Sequence, residues 1–148
     1  MCFLFSGCPK PDLVVTTLEM TGPPAVNAEG NVEVPIRVVV KNQGTAVAKD
    51  IFKVSTEYTE PSGTSAVAFT VSGQSSAWYP YTTAPVAVGN EVIFAGKVIF
   101  LSSVRGKTVS LKAIVDSCSG DEFKPDYCRV DEINESNNES TMISVTLP

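Results

Sequence analysis

The 148-residue chain contains no histidine. Without imidazole, neither a Ser-His-Asp triad nor a Cys-His pair can be assembled, and no imidazole-ligated zinc site can form. Basic residues are also few: 11 Lys and Arg stand against 16 Asp and Glu, for a formal net charge of −5. They form no run. Nucleic-acid binding needs clustered cations that displace counterions from phosphates, so that partner class is excluded. The same deficit leaves no electrostatic reason to lie on anionic lipid. No segment sustains a capped apolar period of 3.6 residues, so helices are not expected. No repeat of fixed period occurs, which argues against a solenoid. Cysteine is scarce, with 4 in the chain, and the positions of these four matter more than their number.

What is present is an ordinary globular composition, 43% hydrophobic and 18% charged, in a chain of single-domain length. The clearest pattern lies in "VEVPIRVVVKNQG", where Val32, Val34, Ile36, Val38 and Val40 fall on one face and Glu33, Arg37 and Lys41 on the other. Period-two alternation of this kind marks a half-buried strand. Pro35 has no N–H to give, so it must face away from a ladder bond or sit at a bulge. Further strand candidates are "LVVTTLEM", "AKDIFKVSTEYTE", "TSAVAFTVSG", "NEVIFAGKVIFLS", "KTVSLKAIVDS" and "STMISVTL". "SAWYPYTTA" is a weaker one because Pro80 interrupts it. Gly96, inside an apolar run, suggests a bulge or a close backbone approach. About seven strands separated by Gly, Pro and Asn turns predict an all-β, antiparallel two-sheet sandwich.

The amino terminus, "MCFLFSGCPKPD", begins with a short apolar run followed by small residues and Cys8. Phe5-Ser6-Gly7-Cys8 resembles a bacterial lipobox, although Phe5 stands where leucine is usual and the preceding stretch is short for a signal. Residues 1–11 are therefore expected to be a signal remnant or lipobox with Cys8 as the lipidation point, followed by a short tether stiffened by Pro9 and Pro11. Cys2 falls in the signal. Cys118 and Cys128 remain as a pair bracketing a polar loop, and an oxidising compartment would join them in a disulfide. Two thiolates alone make only half a zinc site, and nine residues between them is too wide for the usual redox pair.

Two regions are candidates for function. In "SSAWYPY", Trp78, Tyr79 and Tyr81 offer a patch that could stack on sugar rings or anchor a protein. Large aromatics are mostly buried in small domains, so a core position for Trp78, with the tyrosines covering an edge, is the favoured alternative. The second region is "VDEINESNNES". As a metal site, Asp116, Asp131, Glu132, Asn134, Glu135 and Asn137 would offer oxygen ligands suited to calcium. The spacing is not that of an EF-hand, and its turn glycine is missing. As a structural turn, Asn134, Asn137 and Asn138 would bond to neighbouring backbone groups in a crossing that has no ladder partners. The turn is the preferred reading, and no cofactor other than calcium is expected. Glu132 and Glu135 would be the pair in a glycoside hydrolase; a solvated, charge-rich turn without a cleft disfavours that. Asn134 and Asn138 also head glycosylation sequons.

At this segment the chain resembles the CARDB family, the cell adhesion related domain found in bacteria. Val115-Asp116 closes a strand, and Val130, Glu132, Asn134, Glu135, Asn137 and Asn138 then follow the family's terminal V-x-E-x-N-E-x-N-N pattern in order. "PDLVVTTL", "VPIRVVVKNQGTAVAKDIFKV" and "VIFAGKVIF" are similar to its earlier strands. The cysteine-bounded loop departs from the family's usual short turn. The resemblance implies an immunoglobulin-like sandwich over residues 12–148. It further implies a non-catalytic extracellular or cell-surface module for adhesion, partner binding or spacing. The partner would be a protein or a carbohydrate, and the membrane would be reached only through a lipid anchor.

Overall fold

The computed structural model describes residues 9–74, 78–82, 84–116, 132–134 and 136–148. It is an antiparallel β-sandwich. The strands are β1 (Leu13–Met20), β2 (Ala25–Val26), β3 (Val32–Asn42), β4 (Val54–Glu60), β5 (Gly63–Val71), β6 (Glu91–Phe100), β7 (Thr108–Val115) and β8 (Ile143–Thr146). One 3-10 turn, Ser102–Val104, precedes β7, and the described residues include no α-helix. Seven of the strands match the expected number, and the eighth, β2, is a two-residue addition that pairs with β3.

Neighbouring strands follow the order β1-β3-β6-β5-β4-β7-β8. Strand β5 belongs to both layers. Its first half, Gly63–Val67, pairs with β4, and its second half, Ala68–Val71, pairs with β6. One layer is therefore β1, β2, β3, β6 and the end of β5; the other is the start of β5, then β4, β7 and β8. Between them lies the apolar face that the alternation predicts. Val32, Val34, Ile36, Val38 and Val40 are fully enclosed, as are Leu111, Ala113, Val115 and Val145. Phe69 and Phe100 fill the middle, with the Tyr58 ring edge-on to Phe100 at 5.3 Å between centroids. Each such side chain contributes roughly 1.5–3 kcal/mol by leaving water.

The two residues that strand rules single out behave as those rules require. Pro35 lies in the gap between the end of β1, where Met20 faces Ile36, and the start of β2, where Ala25 faces Glu33. Its carbonyl accepts from the Thr21 N–H at 2.9 Å, so its missing N–H points into that gap and not at β6. Gly96 faces Ile36 on β3 and Val71 on β5 with no slip in register. A Cβ there would overlap the Thr70 carbonyl oxygen. It is a close backbone approach, with no bulge.

Two expectations are corrected. The strand foreseen in "AKDIFKVSTEYTE" begins only at Val54, with Ala48 and Lys53 making isolated bridges to Val86 and Tyr81. Tyr81's single bridge is all that "SAWYPYTTA" contributes to the ladders among the described residues. With Pro80 lacking a donor, a continuous strand cannot run through it.

Strand direction defines two poles. Leu13, at the start of β1, lies by Val115 at the end of β7, whereas Thr146 at the end of β8 faces Thr108 at the start of β7. The chain enters at one pole and leaves at the other, separated by the length of β7, about 24 Å. The described residues that link β3 to β4, β5 to β6 and β7 to β8 lie toward the N-terminal pole.

Candidate functional site

The Asn/Glu segment meets the start of β1 at the N-terminal pole, across the open side of the sandwich. Leu13 begins β1, and on that side its backbone has no strand partner. Side chains take the place of one. The Leu13 N–H donates to Glu132 Oε2 at 2.6 Å, and the Leu13 carbonyl accepts from Asn138 Nδ2 at 3.0 Å. Asn138 Nδ2 also reaches Glu132 Oε1 at 2.8 Å, while the Asn138 carbonyl accepts from the Val115 N–H at 2.9 Å. Asn138 thus joins β1 in one layer to β7 in the other. The backbone adds Ile133 N–H to the Pro11 carbonyl at 2.9 Å.

The other flank of the same stretch is held as fully. Asn42 Oδ1 accepts from the N–H groups of Asp12 and Gly44, and its Nδ2 donates to the carbonyls of Ala46 and Val86. Every polar atom of that enclosed side chain is used, as burial demands. Asp12, itself buried, accepts from Gln43 Nε2 at 2.9 Å and from Asn137 Nδ2 at 3.0 Å. The Lys10 carbonyl accepts from Thr45 and Ala46. A Cβ on Gly44 would strike the backbone of Lys10, Pro11 and Asp12, so glycine permits this approach. Asp12 and Asn42 were not among the site residues the sequence suggested. No local pattern marks Asp12, because its partners Asn42, Gln43 and Asn137 are 30 or more residues away, whereas Asn42 also bonds Gly44 and Ala46 close by in the chain.

The candidate metal ligands are dispersed in role. Asp116 is buried, takes a left-handed φ of 53°, and donates its N–H to the Lys53 carbonyl; aspartate tolerates that region better than most residues. Asn134 is exposed, and its Oδ1 accepts from the N–H and hydroxyl of Ser136, a local turn bond. Asn137 turns to Asp12. Glu132 is 4% exposed, which corrects the expectation of a solvated carboxylate. Among the described residues, no three acidic or thiol side chains stand close enough to share an ion. Asp131 and Glu135 lie outside the described residues, as do Cys8, Cys118 and Cys128. Of the two sequon asparagines, Asn138 has its amide enclosed and Asn134 does not.

Trp78 does not fill the core as the favoured alternative had it, while Tyr79 and Tyr81 are half-buried. Trp78 is 57% exposed, and its carbonyl accepts from the Phe69 N–H. The Tyr79 ring lies under Lys53 Nζ, 4.8 Å from the centroid, a cation–π contact. Tyr81 is half-buried and exchanges two bonds with the Gln74 amide. Its neighbours are equally committed: Val54 N–H donates to the Pro80 carbonyl, and Thr82 and Phe52 bond in both directions. Away from this pole, an open groove of about 430 Å³ is lined by Glu60, Pro61, Ser62, Lys107 and Thr108. Its carboxylate is paired, Glu60 with Lys107 at 3.3 Å.

Lys112 on β7 ties the end of the Asn/Glu segment to the sheet. Its Nζ lies 2.9 Å from Glu139 and 3.8 Å from Glu57. The bond to Glu139 raises its pKa above the ordinary 10.5. A raised lysine stabilises the fold at all pH below its unfolded value and loses that contribution as pH climbs through the folded one. Lys112→Met should therefore melt below wild type at neutral pH, by the equivalent of about 1 kcal/mol or less for a partly exposed pair. In a series of melts the gap between the two curves should close as pH climbs into strong alkali. Glu33, bonded to Lys97 and Asn27, is shifted the other way, below the ordinary 4.5. Its contribution is present above that value and fades as pH falls.

No family model matches the sequence, and no curated protein does. Among solved structures, the chain is similar over its whole length to a CARDB domain from Pyrococcus furiosus described in complex with di-metal ions. Identity is 19%, the match covers 100% of this chain and 99% of that one, and the TM-score is 0.49. That domain carries the same family name as the one the Asn/Glu segment resembles in sequence.

Proposed function

We propose that the chain is a non-catalytic extracellular or cell-surface module that holds a partner-binding surface at a distance from its anchor. One observation supports this reading: among the described residues, the enclosed polar side chains that invite a catalytic or metal role are bonded within the structure. Glu132 and Asn138 are enclosed and bonded to β1, and Asp12 and Asn42 are bonded within the same cluster. A catalytic acid must reach a substrate proton, and an enclosed carboxylate bonded to backbone N–H cannot. Entry and exit at opposite poles suit a spacer. The exposed Trp78 at the N-terminal pole is the side chain through which a protein or a sugar would be gripped.

The reading includes a lipid on Cys8 and a bridge between Cys118 and Cys128. Intact mass of the natively expressed protein tests both: an acylated amino terminus at Cys8 and the absence of free thiol at the other two are expected. Arrays of glycans and surface proteins, probed with the whole chain and with Trp78→Ala, test the grip. Loss of a captured partner in the variant supports the patch, and capture unchanged by the substitution rejects it.

Calcium is the competing reading, and a melt decides it. A ligand specific to the native state must raise the melting temperature. Because the enclosed carboxylates of Glu132 and Asp12 are already bonded, curves recorded in millimolar calcium and in chelator should superimpose. A rise of several degrees with calcium would replace the turn by a metal site.

A further inference from the structure

We propose that the module bears tension, and that Glu132 and Asn138 form the clamp at which the load crosses between its two layers. The inference rests on the spacer reading and gives it a mechanical content. A chain terminus normally frays because little holds it. Here residues 10–13 are bonded on both flanks: to Asn42, Gln43, Thr45 and Ala46 on one side, and to Glu132, Ile133, Asn137 and Asn138 on the other. This is the stretch that takes the force if the domain is held by its amino terminus.

The direction of the strands makes that force a shear. A pull on residue 9 runs along β1, whose bonds to β3 from Leu13–Asn42 to Met20–Ile36 lie across the pull and must be strained together. A pull at the opposite pole runs along the segment from Asn138 to Leu147, which follows β7 throughout. Its bonds are Val115 N–H to Asn138, Ser140 N–H to Ala113, the β7–β8 ladder, and Leu147 N–H to Lys107. The two pulls are opposed. They meet where Leu13 is held directly by Glu132 Oε2 and Asn138 Nδ2. Cutting there removes the direct side-chain tie between β1 and the segment that follows β7.

The test is single-molecule stretching of a tandem array of the whole domain, pulled through its termini, with three versions compared. These are wild type, Asn138→Ala, and a core variant, Val109→Ala, at the far pole. Thermal melts calibrate how much equilibrium stability each variant loses. At a fixed force, Asn138→Ala should unfold roughly 10- to 100-fold faster than wild type, the size expected for losing a buried, charge-assisted bond. Val109→Ala should change the rate far less per degree of melting temperature lost. If the two variants fall on one line of rate against melting temperature, the clamp idea is overturned, because the site then acts only through general stability. If Asn138→Ala fails to fold, Asn137→Ala, which cuts only the bond to Asp12, serves in its place with a smaller shift in the same direction. The measurement needs no surface location or partner, so a module that proves not to be at the cell surface would leave its outcome intact.

Discussion

Asn138→Ala should lower the melting temperature by roughly 10 °C, the equivalent of about 3 kcal/mol in a domain of this size. The substitution removes one amide and takes a donor from each of two buried acceptors. The Leu13 carbonyl loses its bond on that side, and the Glu132 carboxylate loses the amide that contacts both its oxygens. An enclosed charge left short of donors costs more than a neutral group. The comparison that gives the result meaning is Asn134→Ala. Asn134 is exposed and bonds only Ser136, so its loss should stay within about 0.5 kcal/mol. Chemical denaturation of the pair checks both figures. Equal effects would show that the segment acts as a surface loop, and the joint between β1 and β7 would lose its standing as a stabilising element.

Gly96→Ala should be at least as damaging, for a steric reason. Gly96 stands opposite Val71 at the end of β5, against the β5 backbone. The added Cβ would meet the Thr70 carbonyl oxygen and carbon and Val71 Cα, all of them backbone. A flexible side chain could swing away, but a ladder cannot. The strands must part, and overpacking of that kind costs about 1–3 kcal/mol or more. Gly73→Ala is the control. Gly73 has a φ of 89° and open space around it, so alanine there suffers only backbone strain of about 1–2 kcal/mol. Melts of both variants test the claim. A Gly96→Ala protein as stable as wild type would mean that β5 does not run as close as described.

These two positions also show what a sequence can carry. The apolar faces of β3 and β7 were legible because alternation is a local property, and burial follows it along most of each strand, with Val39 and Ile114 covered as well. Gly96 was legible as an oddity, and the choice between bulge and close approach needed the neighbouring strand. The Asn/Glu segment was legible as a place where side chains serve backbone. Which backbone they serve was not: Glu132 reaches Leu13 across 119 positions, and no pattern along the chain encodes that distance. Asp12 was passed over for the same reason, its partners Gln43 and Asn137 lying 31 and 125 positions away. Glu132 was misjudged as solvated because its neighbours in sequence are charged, whereas its neighbours in space are the enclosed Asn138 and the start of β1. Trp78 ran against the general tendency of large rings to be covered: it is exposed while Tyr79 and Tyr81 beside it are half-buried and Pro80 is buried.

Because β5 is shared between the layers, the sandwich is one sheet folded over, and its named strands leave only two outer rims open to self-association. Unpaired rims invite a second copy to add on and grow. The rim made by β1 is defended: side chains occupy its first residue, and the register slip between Val15 and Thr17 breaks the straight run that a foreign strand would need. The rim made by β8 is only four residues long. Ordered growth of this protein into aggregates should therefore begin with loss of β1, and agents that hold its first residues in place should delay it.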